Sequence, residues 1–400
     1  MANGNGIGGL LYTHPYPVNE KLFLVSHKDD ASDHYMTSGA YAVYLIDATG
    51  NKAFIYEDED GTVSCWHPTP LLGRKVPDVI HSSRSPDLKE KGKALCIVRN
   101  VYEGMEGVEP GSVKYLRINE AVPQYWDTKR KWSPKYHSAQ WTAALWPRVQ
   151  WGIVPVEEDG SAYFTVPADR NVFFQALDEN YMEVQRERTY VNYRPGEIRT
   201  CIGCHERSTE SPRLVANGRP IALKRPPSVP GPQPGETDPH QVIDYPSDIQ
   251  PILDAKCISC HGTSEPDGDL ELTGTITDRH NVSFEQIRNK GLAGPILSEF
   301  IHFTGADHAN INGSYLPPKS LGSYKSGLVS TIRTTESKDP HYQLLSNAEL
   351  LKIIRWVDTN YQFYGSYYGR HHGTHEAHPD FRRRPQFEEA ISMFAPRWHR

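Results

Sequence analysis

Two copies of one five-residue pattern constrain this chain more than any other feature: Cys201-Ile-Gly-Cys204-His205 and Cys257-Ile-Ser-Cys260-His261. Cys-x-x-Cys-His is the attachment signal for c-type haem. The two thiols add across the haem vinyl groups, and the adjacent imidazole is held beneath the iron as an axial ligand. Two intervening residues let a single turn of chain span both vinyls. Four of the six cysteines lie in these motifs, and each motif ends in His.

Three other chemistries use paired cysteines. Zinc ribbons and fingers are built from Cys-x-x-Cys pairs at short separation. Here the pairs are far apart with a proline-rich stretch between them, and the repeated His would have no role. A thioredoxin-like redox motif needs a βαβ setting, which the surrounding sequence does not offer. A structural disulfide within Cys-x-x-Cys closes only a very small loop. Covalent haem accounts for both motifs, and the expected cofactors are two c-type haems.

The chain has 400 residues, enough for two or three domains. Its 31 glycines and 31 prolines favour loops and β structure over a helical bundle. A net charge of −6 is small for this length and gives no reason to expect nucleic-acid binding. No run of about eighteen apolar residues exists to form a transmembrane helix. The first residues carry neither a basic nor an apolar stretch of signal-peptide type. Because c-type haem is attached outside the cytoplasm, an extracytoplasmic location is expected, and the chain reads as a fragment of something longer.

The expected fold is multidomain α+β. A β-rich N-terminal part, made of a partial β-propeller blade and a β-sandwich-like middle domain, is followed by a mainly α-helical cytochrome c domain. Residues 1–86 contain strand candidates at 21–26, 41–47 and 52–56, with a turn at 48–51; strand, turn and strand before an acidic loop match one propeller blade. Residues 87–210 contain strand candidates at 94–102, 112–118, 161–166 and 171–177, with turns at 158–160 and 178–180, a sandwich-like pattern. Residues 211–244 are a Pro-rich linker, expected as an extended surface strap that forms neither ladder nor helix. Residues 245–368 read as a small cytochrome c: Ser247 as helix N-cap before Cys257, and a capping box at Ser346-Asn-Ala-Glu349 opening an amphipathic helix through Val357. Residues 369–400 form a polar tail.

Three runs carry a specific resemblance. They are Trp151-Gly-Ile-Val-Pro-Val-Glu-Glu-Asp-Gly-Ser-Ala-Tyr-Phe-Thr-Val-Pro-Ala168, Phe174-Gln-Ala-Leu-Asp-Glu179, and Pro195-Gly-Glu197 ahead of Cys201-Ile-Gly-Cys-His-Glu206. Together they resemble the middle domain of the hydrazine synthase alpha subunit family. Asp248-Ile-Gln-Pro-Ile-Leu-Asp-Ala-Lys-Cys-Ile-Ser-Cys-His261, Trp356-Val-Asp-Thr-Asn360 and Tyr364-Gly365 resemble its C-terminal cytochrome and ending. The resemblance implies a propeller ahead of the middle domain, and other subunits or a redox partner protein. In that family the middle-domain motif His binds zinc, and a Tyr four residues later ligates the iron. The corresponding position here is Thr209, so hydrazine formation does not carry over, and His205 is expected to bind iron in the ordinary way. The resemblance also makes Cys65 a candidate zinc ligand.

For the second haem, His261 is the expected proximal ligand. The sixth ligand of such a haem is His or Met, and this domain has no Met before Met393, in the tail. His341, just before the final helix, is the candidate, with His302 and His308 as alternatives. Cys65 has the further options of a buried thiol or a disulfide with Cys96, itself mid-strand and core-like. Asp159 and Glu206 flank the first motif as carboxylates within reach of a haem, although Asp159-Gly160 reads better as a hairpin turn. Three functions compete. The first is a dihaem electron-transfer cytochrome. The second is a redox enzyme on small nitrogen compounds at an open middle-domain haem. The third is a secreted propeller-type binding protein with accessory haem.

Overall fold

The structure, a computed structural model, describes residues 11–28, 39, 41–73, 76, 78, 82–123, 147–187, 190–204, 218–277, 280–294, 317–366 and 384–391. The chain divides into two compact units, residues 1–81 and 82–400.

The first unit is an antiparallel meander of β1 (Leu11–Pro17), β2 (Leu22–Lys28), β3 (Ala42–Asp47) and β4 (Lys52–Tyr56), paired in that order. The β3–β4 turn is set by Asp47, whose Oδ1 accepts the backbone N–H groups of Thr49 and Asn51, both at 2.9 Å. These bonds, with those from the Asn51 and Thr49 side chains first among them, hold the Asp47 carboxyl far below the usual carboxylate range. The outermost strand, β4, is exposed along its whole length.

The second unit opens with α1 (Pro86–Glu90) and holds two sheets. One contains β5 (Lys93–Val98), β8 (Ala162–Pro167) and β12 (Ile198–Cys201) in the order β12-β5-β8, with β12 parallel to β5. The other contains β6 (Tyr115–Ala121), β7 (Arg148–Pro155), β9 (Asn171–Leu177), β10 (Glu183–Arg186) and β13 (Gln241–Val242) in the order β10-β9-β6-β7-β13, with β11 (Val191–Asn192) also on β9. The strand period of two brings alternate residues of both sheets into one core. Ala94, Cys96 and Val98 of β5 and Ala162, Phe164 and Val166 of β8 meet Leu116 and Ile118 of β6 and Val172, Phe174 and Ala176 of β9. Phe164 and Phe174 meet edge to face across it, ring centroids 5.4 Å apart.

The Asp159-Gly160 turn is not a hairpin: β7 and β8 belong to different sheets, so it carries the chain from one to the other. Gly160 has φ +78°, and a Cβ there would sit 2.3 Å from Asn100 Oδ1, so glycine is required. The Asp159 side chain is structural. Oδ1 accepts from Ser161 N at 3.0 Å and Oδ2 from Ile221 N at 2.8 Å. Burial opposes its ionisation, but these bonds prevail and its carboxyl lies below the usual range.

The proline-rich stretch also departs from expectation. Residues lying between its prolines keep their N–H groups, and these pair. Ser228 N donates to Tyr163 O at 2.8 Å, and Gly231 and Ile153 exchange both backbone bonds at 2.9 Å. The strap is therefore stitched to both sheets, with a short 3-10 turn at Ile221–Lys224 and Gln233 fully buried.

Helices follow: α2 (Tyr245–Asp248), α3 (Gln250–Lys256), α4 (Val282–Asn289), α5 (Gly327–Ile332), α6 (Asn347–Asp358) and the short α7 (Phe387–Ala390). Ser247 is not an N-cap. The helical stretch begins at Tyr245, where Pro246 fixes φ in the first turn, and Ser247 Oγ instead donates to Asp244 Oδ2 at 2.6 Å. The α6 capping box is present: Glu349 N donates to Ser346 Oγ at 3.3 Å and Ser346 N to Glu349 Oε2 at 2.8 Å. Leu351, Ile353, Ile354, Trp356 and Val357 of α6 then pack with Tyr245, Ile249, Ile252, Leu253 and Phe284 in a second core.

Between that core and the second face of the large sheet lies a buried polar layer. Arg117, Gln175, Glu183 and Arg186 come from the sheet, Gln233 and Glu236 from the strap, and Arg355, Asp358 and Asn360 from the end of α6. Several of its ties are charge-assisted, the stronger kind, as between Arg186 and Glu183 and between Arg355 and Glu236.

Candidate cofactor sites at the two cysteine motifs

The second motif sits where α3 stops. Cys257 caps the helix, its N–H on Leu253 O at 2.8 Å, and His261 N then donates to Cys257 O at 2.9 Å. The chain thus makes one tight turn through Cys257, Cys260 and His261. Cys257 is half-buried against the second core, and burial pushes its thiol up to about 11; Cys260 is exposed.

His261 Nδ1 lies 3.0 Å from the Leu270 carbonyl. A carbonyl can only accept, so Nδ1 carries the proton and Nε2 presents its lone pair. His341 is arranged the same way. Its Nδ1 lies 2.8 Å from Asp339 Oδ1, which also takes its backbone N–H at 2.8 Å. Those two bonds hold the Asp339 carboxyl below the usual range. The His261 and His341 rings lie near one another, centroids 6.3 Å apart and planes 28° from parallel. Sequence reasoning named both histidines but neither partner, Leu270 O or Asp339. The Asp-Pro-His spacing of residues 339–341 was the available signal, since an Asx side chain bonds readily to the backbone two residues on.

The first motif begins in β12. Cys201 pairs with Val98, and the following residues are bound closely to the 99–103 segment: Arg99 N donates to Cys201 O at 2.9 Å and Asn100 N to Ile202 O at 3.1 Å. A Cβ on Gly203 would lie 2.3 Å from Glu103 O, so the turn fits only without a side chain there. Cys201 and Cys204 are half-buried against the sandwich core. His205, Glu206 and Thr209 lie outside the described residues, as do His302 and His308.

Cys65 belongs to the first unit, where its N–H bonds Tyr41 O at 2.8 Å. All six cysteines are thiols. Among the described residues no three His, Cys, Asp or Glu side chains group as a metal site, so zinc at Cys65 has no further support here. Among those residues, too, no helix is long and apolar enough to cross a membrane.

Residues 111–206 match the family model described as the hydrazine synthase alpha subunit middle domain. That span runs from the start of β6 through the first motif. The hydrazine synthase subunit alpha of Kuenenia stuttgartiensis is 28% identical over an alignment covering 52% of this chain and 32% of that protein. A solved Kuenenia stuttgartiensis hydrazine synthase chain superposes with a TM-score of 0.60 at 20% identity, over 91% of this chain and 56% of that one. The chain thus spans about a third of the curated relative and about half of the solved one. The last comparison shows a shared fold, and over its middle domain and first motif this chain is similar to the hydrazine synthase alpha subunit.

Proposed function

We propose that this chain is a c-type cytochrome portion of a hydrazine synthase alpha-like protein, carrying two covalent haems and transferring electrons. The observation that carries the reading is the proximity of His261 and His341. With metal–nitrogen bonds of about 2 Å and about 1.1 Å from each ring nitrogen to its centroid, two imidazoles on one metal can have centroids up to about 6.2 Å apart. The rings stand 6.3 Å apart with both Nδ1 atoms engaged elsewhere. The donor set, two imidazoles and two thiols in one tight turn, fits haem.

Haem would supply a one-electron iron couple. The residues of the chain do the rest. Cys257 and Cys260 would anchor the macrocycle, and His261 and His341 would ligate the iron. Leu270 O and Asp339 fix the tautomer and direction of each ring, as partners of ligating imidazoles do. The apolar wall of α6 and α3 excludes water. Cys201 and Cys204 would anchor the first haem, with His205 as its ligand. The same reading takes the four-stranded meander of the first unit as one propeller blade. It places the protein outside the cytoplasm, and expects further subunits or a redox partner, as the relative's designation as a subunit suggests.

The test is the spin state of the chain matured with c-type haem. Wild type should show a low-spin signal from the second site, and His341→Ala should convert it to high spin while leaving haem attached. An unchanged low-spin signal in the variant would sink the assignment.

A further inference from the structure

A third thiol stands beside the first motif. β12 runs parallel to β5 with Arg199 opposite Cys96 and Cys201 opposite Val98. Opposed residues share a face, and so do residues two apart along a strand. Cys96 and Cys201 are therefore diagonal neighbours on the same face of the sheet. Both belong to the sandwich core, Cys96 with no exposed surface and Cys201 packed at its edge. The Cys201 thiol, then burial, pushes the Cys96 thiol up, and the nearby Tyr193 hydroxyl is buried with no hydrogen-bond partner. Arg199 covers the Tyr193 ring at 4.8 Å.

We propose that Cys96 and Cys201 form a reversible disulfide in the haem-free chain, in competition with thioether formation at Cys201. In an ideal sheet, diagonal Cα atoms are about 7–8 Å apart, slightly beyond the roughly 4.4–6.8 Å that a disulfide spans. Closing the bond draws in the end of β12, a four-residue edge strand, by about an ångström. The result is a strained bond of the readily reduced kind, not a permanent staple. Two S–H bonds break and one S–S bond forms. The two electrons pass to an incoming disulfide such as oxidised glutathione: the more accessible Cys201 takes up one half as a mixed disulfide, Cys96 displaces it, and two reduced thiols and no free oxidant remain. Cys201 can hold either the haem vinyl or Cys96, so reduction of this bond becomes a condition for loading the first motif. That competition rests on the haem reading; the disulfide itself does not.

The experiment takes the wild-type full chain expressed without haem maturation, equilibrates it in glutathione buffers from reducing to oxidising, alkylates it, and maps peptides without reduction. A Cys96–Cys201 linked peptide should appear on the oxidising side, take up most of the Cys96, and vanish with dithiothreitol. A Cys201–Cys204 link, or Cys96 recovered as free thiol throughout, overturns the proposal. Because wild type is mapped, no variant's folding enters, and Cys201→Ser serves as the control that should abolish the link. Haem occupancy of a separately matured sample, counted by mass, tests the haem reading independently of this result.

Discussion

Arg186 reaches from β10 to the far end of α6, where its Nη2 donates to the Asp358 carbonyl at 2.8 Å and its Nη1 to Asn360 Oδ1 at 2.6 Å. On its own side, Nε holds Glu183 Oε1 at 2.5 Å. One buried guanidinium thus ties the strand layer to the helical layer. Removing one partner of a buried pair leaves the other charge uncompensated, typically at about 3–5 kcal/mol. Arg186→Met should destabilise the chain by that order, read as a lower urea midpoint.

Asp358 makes the same layer pH-sensitive. Burial, then the nearby Glu183, raises its carboxyl to about 7, although Oδ1 takes the Ser323 N–H at 2.7 Å and Arg117 lies 4.0 Å from Oδ2. An unfolded aspartate titrates near 3.9. With the folded value above the unfolded one, the native state holds the extra proton between them, and stability falls as pH rises from about 4 to about 7. Chemical denaturation across that range should show this decline, on the order of a few kcal/mol at about 1.4 kcal/mol per pH unit. In Asp358→Asn the decline should shrink. A wild-type stability that rises steadily to pH 7 would count against it.

Gly203 is predicted to control loading of the first motif. Its missing Cβ leaves room for Glu103 O, at 2.3 Å from where a Cβ would stand. Gly203→Ala must push the turn away from the 99–103 segment. Haem at Cys201 and Cys204 should fall several-fold while that at Cys257 and Cys260 is unchanged, as counted by mass on peptides from the two motifs.

The α6 cap offers a milder perturbation. Ser346→Ala removes the side-chain acceptor for Glu349 N and should cost about 1 kcal/mol. Since α6 forms one wall of the second core, the same variant should raise amide exchange at Leu350 and Leu351 before other helices loosen.

Much of this architecture could be read from the chain, and the losses have physical causes. Asn171–Leu177 alternates cleanly and was readable as a strand; so was the α6 capping box. Arg148–Pro155 was not, because the sheet is covered on both faces and the alternation of polar and apolar residues is lost. The strap misled because proline counts hide the N–H groups left between prolines, at Ser228 and Gly231. Arg355 and Asp358 are both buried, paired with charges more than a hundred residues away that no local pattern reveals. At the second motif, His261 was a candidate from the motif itself and His341 from its place just before the final helix. The Asp339 carboxylate and Leu270 carbonyl that aim them are visible only once the loops are folded.

The most direct test of the account is the intact mass of the full chain after c-type haem maturation. Two covalent haems are predicted for wild type, one for the Cys201→Ala/Cys204→Ala double variant and one for Cys257→Ala/Cys260→Ala. A wild-type chain bearing no covalent haem, or one bearing a single haem that either double variant abolishes alone, would contradict it.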